Sequence, residues 1–419
     1  MKKLYFLLSI LIILFKVENC IGQWIQSNNG ITSGEYVTAL SVNGNVLYAG
    51  TSNGIYKSSN SGNLWIKIAS NTGGIKSIAF NGTYFYASTS DGFWKSSNSG
   101  LNWSNTHFYG NPPVWSMSAS NGNVYCVIGA DRVWKTTNNG GLWEPSSPGG
   151  DVRYVSANEP FVYAGFYNYS TGLNGGVYRS TNSGANWERT LQEINIYCLS
   201  QSDSLVYAGA VDDTSRNGGV YVSTNYGLNW SRSSLDSVPV KTLYSYGNNV
   251  FAGVDNTYYP GFTYYPGFWV STNRGQTWTK RNEGFTNSPV NTPVVAIAVL
   301  DNIVYTALSG GGIWQRQVSQ VIGIKNISSE IPSEYKLEQN YPNPFNSTTK
   351  IKWQMVNTGI AKIIIYDLLG KEVAVPLNES LQPGTYEVNF SADNLTSGIY
   401  FYQLITEKFT QTKKLILLK

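Results

Sequence analysis

The chain has 419 residues and a formal net charge of +4, and only 13% of its residues are charged. Its length suits two or three folded units, and its 42 Gly, 30 Tyr and 13 Trp residues fit a turn-dense all-β protein rather than a disordered or coiled-coil one. No run of Lys or Arg occurs in the body of the chain, which argues against a nucleic-acid partner.

Residues 1–22 have the pattern of a signal peptide. Two lysines precede an apolar run over residues 4–15, and the small residues Cys20 and Gly22 precede the expected cleavage point. The apolar run is shorter than the roughly 20 residues of a transmembrane helix, and a lipidated Cys20 is a further alternative. We therefore expect a mature protein that starts at Gln23 and has no transmembrane anchor.

A motif of eight residues, Ser/Thr-x-Asn-x-Gly-x-x-Trp, occurs six times. Its Asn, Gly and Trp residues are Asn60, Gly62, Trp65, Asn98, Gly100, Trp103, Asn138, Gly140, Trp143, Asn182, Gly184, Trp187, Asn225, Gly227, Trp230, Asn273, Gly275 and Trp278. The Trp residues recur roughly every 40 to 50 residues, the length of one four-stranded propeller blade. Ser/Thr and Asn side chains bond nearby N–H groups, and Gly supplies a positive φ. The motif therefore predicts a structural turn, followed by a buried Trp.

This motif resembles the Asp-box, or BNR, repeat of sialidases, sortilin-like receptors and several plant-polysaccharide hydrolases. Asn stands where that family usually has Asp, so the capping acceptor is kept and the charge is lost. The resemblance implies a β-propeller fold. It implies no activity, because the box lies away from the active site in that family.

Each repeat opens with an apolar strand, and seven such strands are predicted at residues 37–42, 75–80, 114–119, 152–157, 196–201, 240–245 and 294–299. The second strand carries an aromatic residue at one register: Tyr48, Tyr86, Tyr125, Tyr163, Tyr207, Phe251 and Tyr305. Only six repeats reach the motif, whereas residues 23–26 resemble the strand after a motif with nothing in front of it. We predict a seven-bladed β-propeller over residues 23–318, in which the N-terminal segment supplies the fourth strand of the last blade.

The loops between second and third strands are expanded at residues 166–174, 210–217 and 254–266. They share the face opposite the motif turns, and long loops on one face are where function is usually carried. The ligand-binding candidates are Tyr167, Tyr169, Arg216, Tyr258, Tyr259, Tyr264, Tyr265 and Arg153. Exposed tyrosines suit stacking on a sugar or a protein interface; alternatively, they cover their neighbours and fold the loop.

The second residue of the first strands forms a further group: Lys76, Trp115, Arg153, Tyr197 and Lys241. We expect these side chains to form a mixed collar near the channel mouth on the loop face. The alternative is that they pack between blades.

Groups for catalysis and metal binding are few. The single histidine, His107, excludes His-based triads and His-rich metal sites, and we predict no metal site and no cofactor. Asp212 and Asp213 are the acidic pair that a glycoside hydrolase would use, although no arginine cluster of the sialidase kind accompanies them. A whole blade separates Cys126 from Cys198, so we expect two buried free thiols.

The composition changes to a short Ile/Ser/Glu linker at residues 319–333. Strands separated by Gly and Pro turns then predict a small β-sandwich over residues 334–419. Its distinctive runs are Tyr341, Pro342, Asn343, Pro344 and Phe345, then Tyr-Asp-Leu-Leu-Gly-Lys-Glu-Val from 366, Leu-Thr-Ser-Gly-Ile-Tyr from 395, and a basic-apolar run from 413.

Together, in this order, these runs resemble the C-terminal type A sorting domain of the type IX secretion system of Bacteroidota. The resemblance implies contact with the type IX secretion machinery, passage through the periplasm, and a secreted or outer-membrane surface location. An ordinary accessory sandwich is the alternative. The hypothesis for the propeller is binding of a glycan or a surface protein through the loop face; a polysaccharide-degrading or sialidase-like hydrolase and a non-catalytic envelope scaffold are the alternatives.

Overall fold

The computed structural model describes residues 23–70, 72–89, 92–106, 113–129, 132–146, 150–167, 175–211, 218–255, 266–285, 293–328, 330–392 and 395–419. This part of the chain is nearly all β-structure, with one short helix. The predicted all-β class is confirmed. The predicted signal peptide and His107 lie outside the described residues.

The strands before the helix are β1 (Ile25–Gln26), β2 (Val37–Asn43), β3 (Val46–Thr51), β4 (Gly54–Ser58), β5 (Ile66–Ser70), β6 (Ile75–Asn81), β7 (Tyr84–Thr89), β8 (Gly92–Ser96), β9 (Ser104–Thr106), β10 (Val114–Ser120), β11 (Asn123–Ile128), β12 (Arg132–Thr136), β13 (Glu144–Pro145), β14 (Val152–Asn158), β15 (Phe161–Phe166), β16 (Gly176–Ser180), β17 (Glu188–Gln192), β18 (Asn195–Ser202), β19 (Leu205–Val211), β20 (Gly219–Ser223), β21 (Ser231–Asp236), β22 (Val240–Tyr246), β23 (Asn249–Val254), β24 (Gly267–Ser271), β25 (Thr279–Lys280), β26 (Val294–Leu300), β27 (Ile303–Leu308) and β28 (Gly312–Gln317). Helix α1 (Val318–Val321) follows. The remaining strands are β29 (Ile324–Ser328), β30 (Lys336–Leu337), β31 (Thr348–Met355), β32 (Gly359–Tyr366), β33 (Glu372–Leu381), β34 (Gly384–Ser391), β35 (Gly398–Ile405) and β36 (Thr410–Leu417).

Seven four-stranded antiparallel sheets occupy the described residues up to Gln317. Sheets 1 to 6 follow the chain in order, from β2-β3-β4-β5 to β22-β23-β24-β25. Sheet 7 has the order β1-β28-β27-β26, with Ile25 opposite Gln315 and Gln26 opposite Trp314. The predicted pairing of the N-terminal segment with the last repeat is therefore confirmed.

The first strands of the sheets contact one another in chain order. The contacts run from β2 through β6, β10, β14, β18 and β22 to β26, and β26 also contacts β2. Small residues permit the close approach: a Cβ on Gly165 would lie 2.7 Å from Ile196 Cγ2 of the next sheet, and one on Gly209 would lie 2.9 Å from Val240 Cγ1. Sheets 1 and 7 are therefore neighbours, like every other consecutive pair.

The repeated motif forms the predicted tight turn between third and fourth strands. In the first copy the Gly62 N–H donates to Ser58 Oγ at 3.0 Å, the Leu64 N–H donates to Asn60 Oδ1 at 3.0 Å, and Ser58 Oγ donates to Asn60 Oδ1 at 2.9 Å. The same three bonds recur in the other five turns. The neutral Asn oxygen thus satisfies backbone donors as a carboxylate would.

The two cysteines of the described residues, Cys126 and Cys198, are buried and form no disulfide. Burial raises the pKa of both thiols, because the thiolate loses its hydration. The predicted pair of buried free thiols is confirmed.

The tail forms two further four-stranded sheets, β29-β34-β31-β30 and β33-β32-β35-β36. Ile351 and Trp353 of the first sheet and Ile363 and Leu404 of the second belong to one buried cluster. The same cluster includes Trp314 of sheet 7. The tail therefore shares a hydrophobic core with the last of the seven sheets.

The segment predicted as a linker, residues 319–333, contains ordered structure. Most of α1 lies in it, and β29 pairs with β34, with Ile324 opposite Val388. Val321 is fully buried and Ile324 is 3% exposed. This segment is held because its apolar side chains enter the shared core.

The tail lies against the motif face, which we define as the face carrying the six motif turns. A cleft of about 410 Å³ separates the last motif turn from β33 and β34; it is lined by Asn273, Arg274, Gln276 and Thr277 on one side and Val373, Pro376 and Phe390 on the other. Beside it, Asn249 Nδ2 donates to Glu379 Oε1 at 2.8 Å, and both residues are buried.

The ionisation of Glu379 makes the stability of the folded chain depend on pH. Burial raises the pKa of its carboxyl from 4.5 to about 7, against the opposing effect of the Asn249 hydrogen bond. Below pH 4.5 the carboxyl is neutral in both folded and unfolded chains, whereas near pH 7 the folded protein must ionise a buried group. Stability is therefore lost as pH rises from 4.5 to 7, by at most about 3 kcal/mol from this group.

We expect Glu379→Gln to remove this part of the pH dependence. The amide keeps an oxygen that can accept from Asn249 and does not ionise. Denaturant unfolding of both proteins between pH 4.5 and 8 measures the difference. Parallel stability curves for the two proteins would show that Glu379 carries no such effect.

Candidate functional site

Every first strand contains a β-bulge at the same position. The pairing of first and second strands shifts register around the second residue of β2, β6, β10, β14, β22 and β26 and around the third residue of β18. The bulged residues are Thr38, Lys76, Trp115, Arg153, Tyr197, Lys241 and Val295. A bulge redirects a side chain and is frequent next to binding and active sites.

These bulges lie on the loop face, which we define as the face where the second strands end. The residues beside each bulge pair with those ends; for example, Ile75 lies opposite Thr89 and Val152 opposite Phe166. The motif turns lie at the other end of the sheets because the strands alternate in direction.

Five of the bulged residues, one from each of sheets 2 to 6, make up what we call the bulge arc: Lys76, Trp115, Arg153, Tyr197 and Lys241. Lys76 Nζ lies 3.3 Å from the centroid of the Trp115 ring, and Arg153 Cζ lies 4.6 Å from the same ring. Lys241 Nζ lies 4.0 Å from the Tyr197 ring. Cations and aromatic rings alternate over sheets 2 to 6, one from each sheet.

The two remaining bulges carry no charge. Thr38 Oγ1 donates to Gly50 O at 3.2 Å and to Ile75 O at 2.5 Å, so its hydroxyl bonds the backbone of sheets 1 and 2. Val295 occupies the bulge of sheet 7. The cationic and aromatic character is therefore confined to one side of the loop face.

Two further tyrosines pack behind the arc. The Tyr167 ring lies 5.0 Å from Tyr197 in an edge-on arrangement, and the Tyr154 ring lies 5.9 Å from Tyr197. Tyr167 is only 4% exposed, and its N–H donates to Asp151 O at 2.8 Å. Tyr167, a predicted ligand-binding residue, thus supports Tyr197 from below rather than facing solvent.

The arc has an uneven charge balance. Lys241 Nζ lies 3.1 Å from Asp255 Oδ2 and is neutralised there. Within the part of the chain that the structure describes, Lys76 has no ion-pair partner. Partial burial lowers the pKa of Lys76, and the neighbouring charge of Arg153 lowers it further. Lys76 and Arg153 thus place two cations around one ring at this end of the arc.

The structure brings together only some of the residues predicted for the site. Arg153 lies in the arc and Tyr167 directly beneath it. The other predicted residues, Tyr169, Arg216, Tyr258, Tyr259, Tyr264, Tyr265, Asp212 and Asp213, lie outside the described residues. Within the described ranges, no group of three or more His, Cys, Asp or Glu side chains could hold a metal ion.

Two participants were not predicted from the sequence: Tyr154 and Asp255. Tyr154 follows Arg153 directly, and in a regular strand successive side chains point to opposite faces. The bulge removes that alternation, so that Arg153 and Tyr154 both lie at the arc. The register shift depends on hydrogen bonds to the second strand, which no local sequence signal shows.

Comparison with known proteins identifies the tail and the fold. Residues 339–418 match the model of the secretion system C-terminal sorting domain. A search of curated protein sequences found no match. YCF48 from Cyanidioschyzon merolae superposes with a TM-score of 0.53 at 13% identity, covering 70% of this chain and 98% of that chain. The extracellular domain of BT4673 from B. thetaiotaomicron gives a TM-score of 0.53 at 10% identity, covering 95% of this chain and 59% of that chain.

At these identities the structural likeness shows a β-propeller fold and nothing about ligands. The family match is a match in sequence, and it confirms the sorting domain predicted from the runs around Tyr341 and Asp367. No helix among the described residues is long and apolar enough to cross a bilayer. The chain therefore carries the C-terminal sorting domain of the type IX secretion system, and it is exported by that system to the cell surface or the extracellular space.

Proposed function

We propose that this protein is an exported binding protein whose propeller takes a glycan or protein ligand on the loop face, through the bulge arc. The observation that carries the proposal is the alternation of cations and aromatic rings over five consecutive sheets, in which Lys76 and Arg153 contact Trp115 and Lys241 contacts Tyr197. Val295, at the equivalent position of sheet 7, shows that an apolar side chain can occupy this bulge. Instead, three of the five residues are cations that remain half-buried at the surface.

The architecture that we propose around this site is a seven-bladed propeller over residues 23–318, with motif turns of the Asp-box type and a small β-sandwich as the tail. The seven sheets and the contact of β26 with β2 support the ring. The shared core of the two tail sheets supports the sandwich, and β29 extends the tail to Ile324.

The position of the tail favours a ligand on the loop face. The tail contacts sheet 6 on the motif face, where Asn249 donates to Glu379, and it shares a buried cluster with Trp314 of sheet 7. The arc lies at the opposite ends of the sheets. We propose that the tyrosines predicted at positions 258, 259, 264 and 265 contribute to the same face.

The proposal is tested by comparing two variants of one sheet. Trp115 belongs to the arc, whereas Leu142 of the same sheet is 59% exposed on the motif face. The full chain, Trp115→Ala and Leu142→Ala are each assayed against an array of neutral and acidic glycans and against surface proteins of the producing cell. We expect Trp115→Ala to lose binding by about tenfold or more, since a central aromatic anchor contributes 2 kcal/mol or more.

Leu142→Ala should bind like the wild type. Equal binding by the wild type and Trp115→Ala to every ligand would refute the placement of the site on the arc. A loss confined to Leu142→Ala would move the site to the motif face.

A further inference from the structure

We propose that the type IX secretion machinery contacts one end of the tail, where Leu368 and Leu369 enter an apolar pocket of a protein of that machinery. This contact serves export and is independent of the ligand proposed for the loop face. The exposure of the leucines, the fixed turn that carries them and the part of the tail that the propeller covers all support it.

Four large apolar side chains are exposed at the same end of sheet β33-β32-β35-β36, which we call the leucine end: Leu368, Leu369, Ile399 and Leu418. Strand β32 ends at Tyr366, opposite Phe401 of β35. Strand β35 begins at Gly398, opposite Leu417 of β36. The turn after β32, the start of β35 and the end of β36 therefore lie together. Leu368 is 67% exposed and Leu369 is 93% exposed. Exposed apolar side chains that cluster, unlike scattered ones, mark a surface for another molecule.

The turn after β32 presents the two leucines in a fixed conformation. Asp367 Oδ1 accepts hydrogen bonds from the N–H groups of Leu369 and Lys371, each at 2.9 Å. The Asp367 N–H donates to Lys371 O at 3.0 Å, and the Gly370 N–H donates to Asp367 O at 3.1 Å. These bonds use the backbone and the Asp367 side chain, so the turn does not need leucines in order to fold. A group that is ordered in advance binds a protein pocket at a lower entropic cost, whereas a fluid lipid surface gains nothing from such order.

The role of the tail in export identifies the partner. The leucine end lies within residues 339–418, the segment that matches the sorting domain, and a sorting domain acts by being bound. One side of the tail is taken by the propeller, because Val373 and Pro376 of β33 line the cleft to the last motif turn and Glu379 is buried against Asn249. The turn before β33 stays exposed beside this covered strand. The machinery can therefore reach the leucine end while the propeller is folded and the tail is docked on it.

Export of the full chain from the producing cell tests this contact. The double variant Leu368→Ser, Leu369→Ser removes both apolar side chains from the turn. We expect its extracellular amount to fall by about tenfold or more, with accumulation in the periplasm, since an apolar anchor in a pocket contributes 2 kcal/mol or more to binding. Ile360→Ser is the matched control, because Ile360 is 55% exposed in the same strand and pairs with Ser380 at the opposite end of the sheet. Its export should equal that of the wild type.

Two further measurements separate lost recognition from lost folding. Thermal unfolding of the purified variants should give a Tm close to that of the wild type, because the substituted side chains are exposed. If the double variant fails to fold, Leu369→Ser alone carries the comparison, since Leu369 is 93% exposed. A photo-crosslinking amino acid at position 369 should become joined to a component of the type IX machinery in intact cells, whereas one at position 360 should not.

Normal export of the folded double variant would overturn the inference, and so would an equal loss for Ile360→Ser. Flotation of the wild type, but not of the double variant, with vesicles of phosphatidylethanolamine and phosphatidylglycerol would assign the leucines to a lipid surface instead. A dimer in solution that the double variant no longer formed would assign them to a second copy of the chain. Each of these results would leave the sorting role of the tail intact, because that role is tested by removing the tail as a whole.

Discussion

Removal of residues 324–419 is expected to reduce the extracellular amount of this protein to background. The sorting domain is matched over residues 339–418, and β29 (Ile324–Ser328) is a strand of the same sheet as β34 and β31. Export is measured by immunodetection of the propeller in culture medium, at the cell surface and in the periplasm. We expect the truncated chain to accumulate in the periplasm.

Truncation also uncovers apolar surface, so export needs a separate control. Trp314 and Val318 share the buried cluster with the tail, and their exposure would destabilise the propeller. Residues 324–419 are therefore fused to an unrelated passenger that has its own signal peptide. This fusion should reach the medium or the surface only in cells with a working type IX system. Continued appearance of the truncated propeller outside the cell would refute the role of the tail.

Trp24→Ala is expected to lower the free energy of unfolding by about 3–5 kcal/mol. Trp24 is 2% exposed, its indole N–H donates to Arg281 O at 2.7 Å, and its ring lies 4.8 Å from Phe268 and 5.1 Å from Phe285. It anchors β1, which pairs with β28 and completes sheet 7. Denaturant unfolding measures the loss.

Ile25→Ala is the matched control for this change. Ile25 is the next residue of the same segment and is 56% exposed, so its truncation should change the free energy of unfolding by no more than about 0.5 kcal/mol. If both variants lost the same small amount of stability, the N-terminal segment would not be an integral strand of sheet 7.

The repeat allowed much of this architecture to be predicted from the sequence. Because Trp24 matches the Trp that ends each motif, its segment could be assigned to the sheet that lacked a fourth strand. The turn chemistry was equally accessible, since Asn60 and Gly62 act within eight consecutive residues. Such turns can be predicted from local sequence because their hydrogen bonds are made by side chains within the turn itself.

Long-range features could not be predicted in the same way. Strand β29 has a linker-like composition, and its partner β34 lies about sixty residues later in the chain. The bulges arise from the register between two strands, whereas the sequence shows only an unusual Lys, Arg or Trp in an apolar strand. The pairing of Lys241 with Asp255 likewise depends on the bulge, which brings a first-strand residue to the end of the second strand.

The arrangement separates two functions on two faces. The motif face of sheets 6 and 7 holds the export tail, with Glu379 at the contact. The loop face carries the arc, which is formed by residues near the N-terminal ends of β6, β10, β14, β18 and β22. A ligand on the arc and a tail on the motif face therefore do not compete for surface.

Hydrogen exchange of the full chain, with and without the best ligand from the array of glycans and surface proteins, tests the placement of the site most directly. With ligand bound, we expect slower exchange at the starts of β10 and β14, around Trp115 and Arg153, and unchanged exchange at the motif turns. Protection confined to the motif turns or to the tail would contradict this placement.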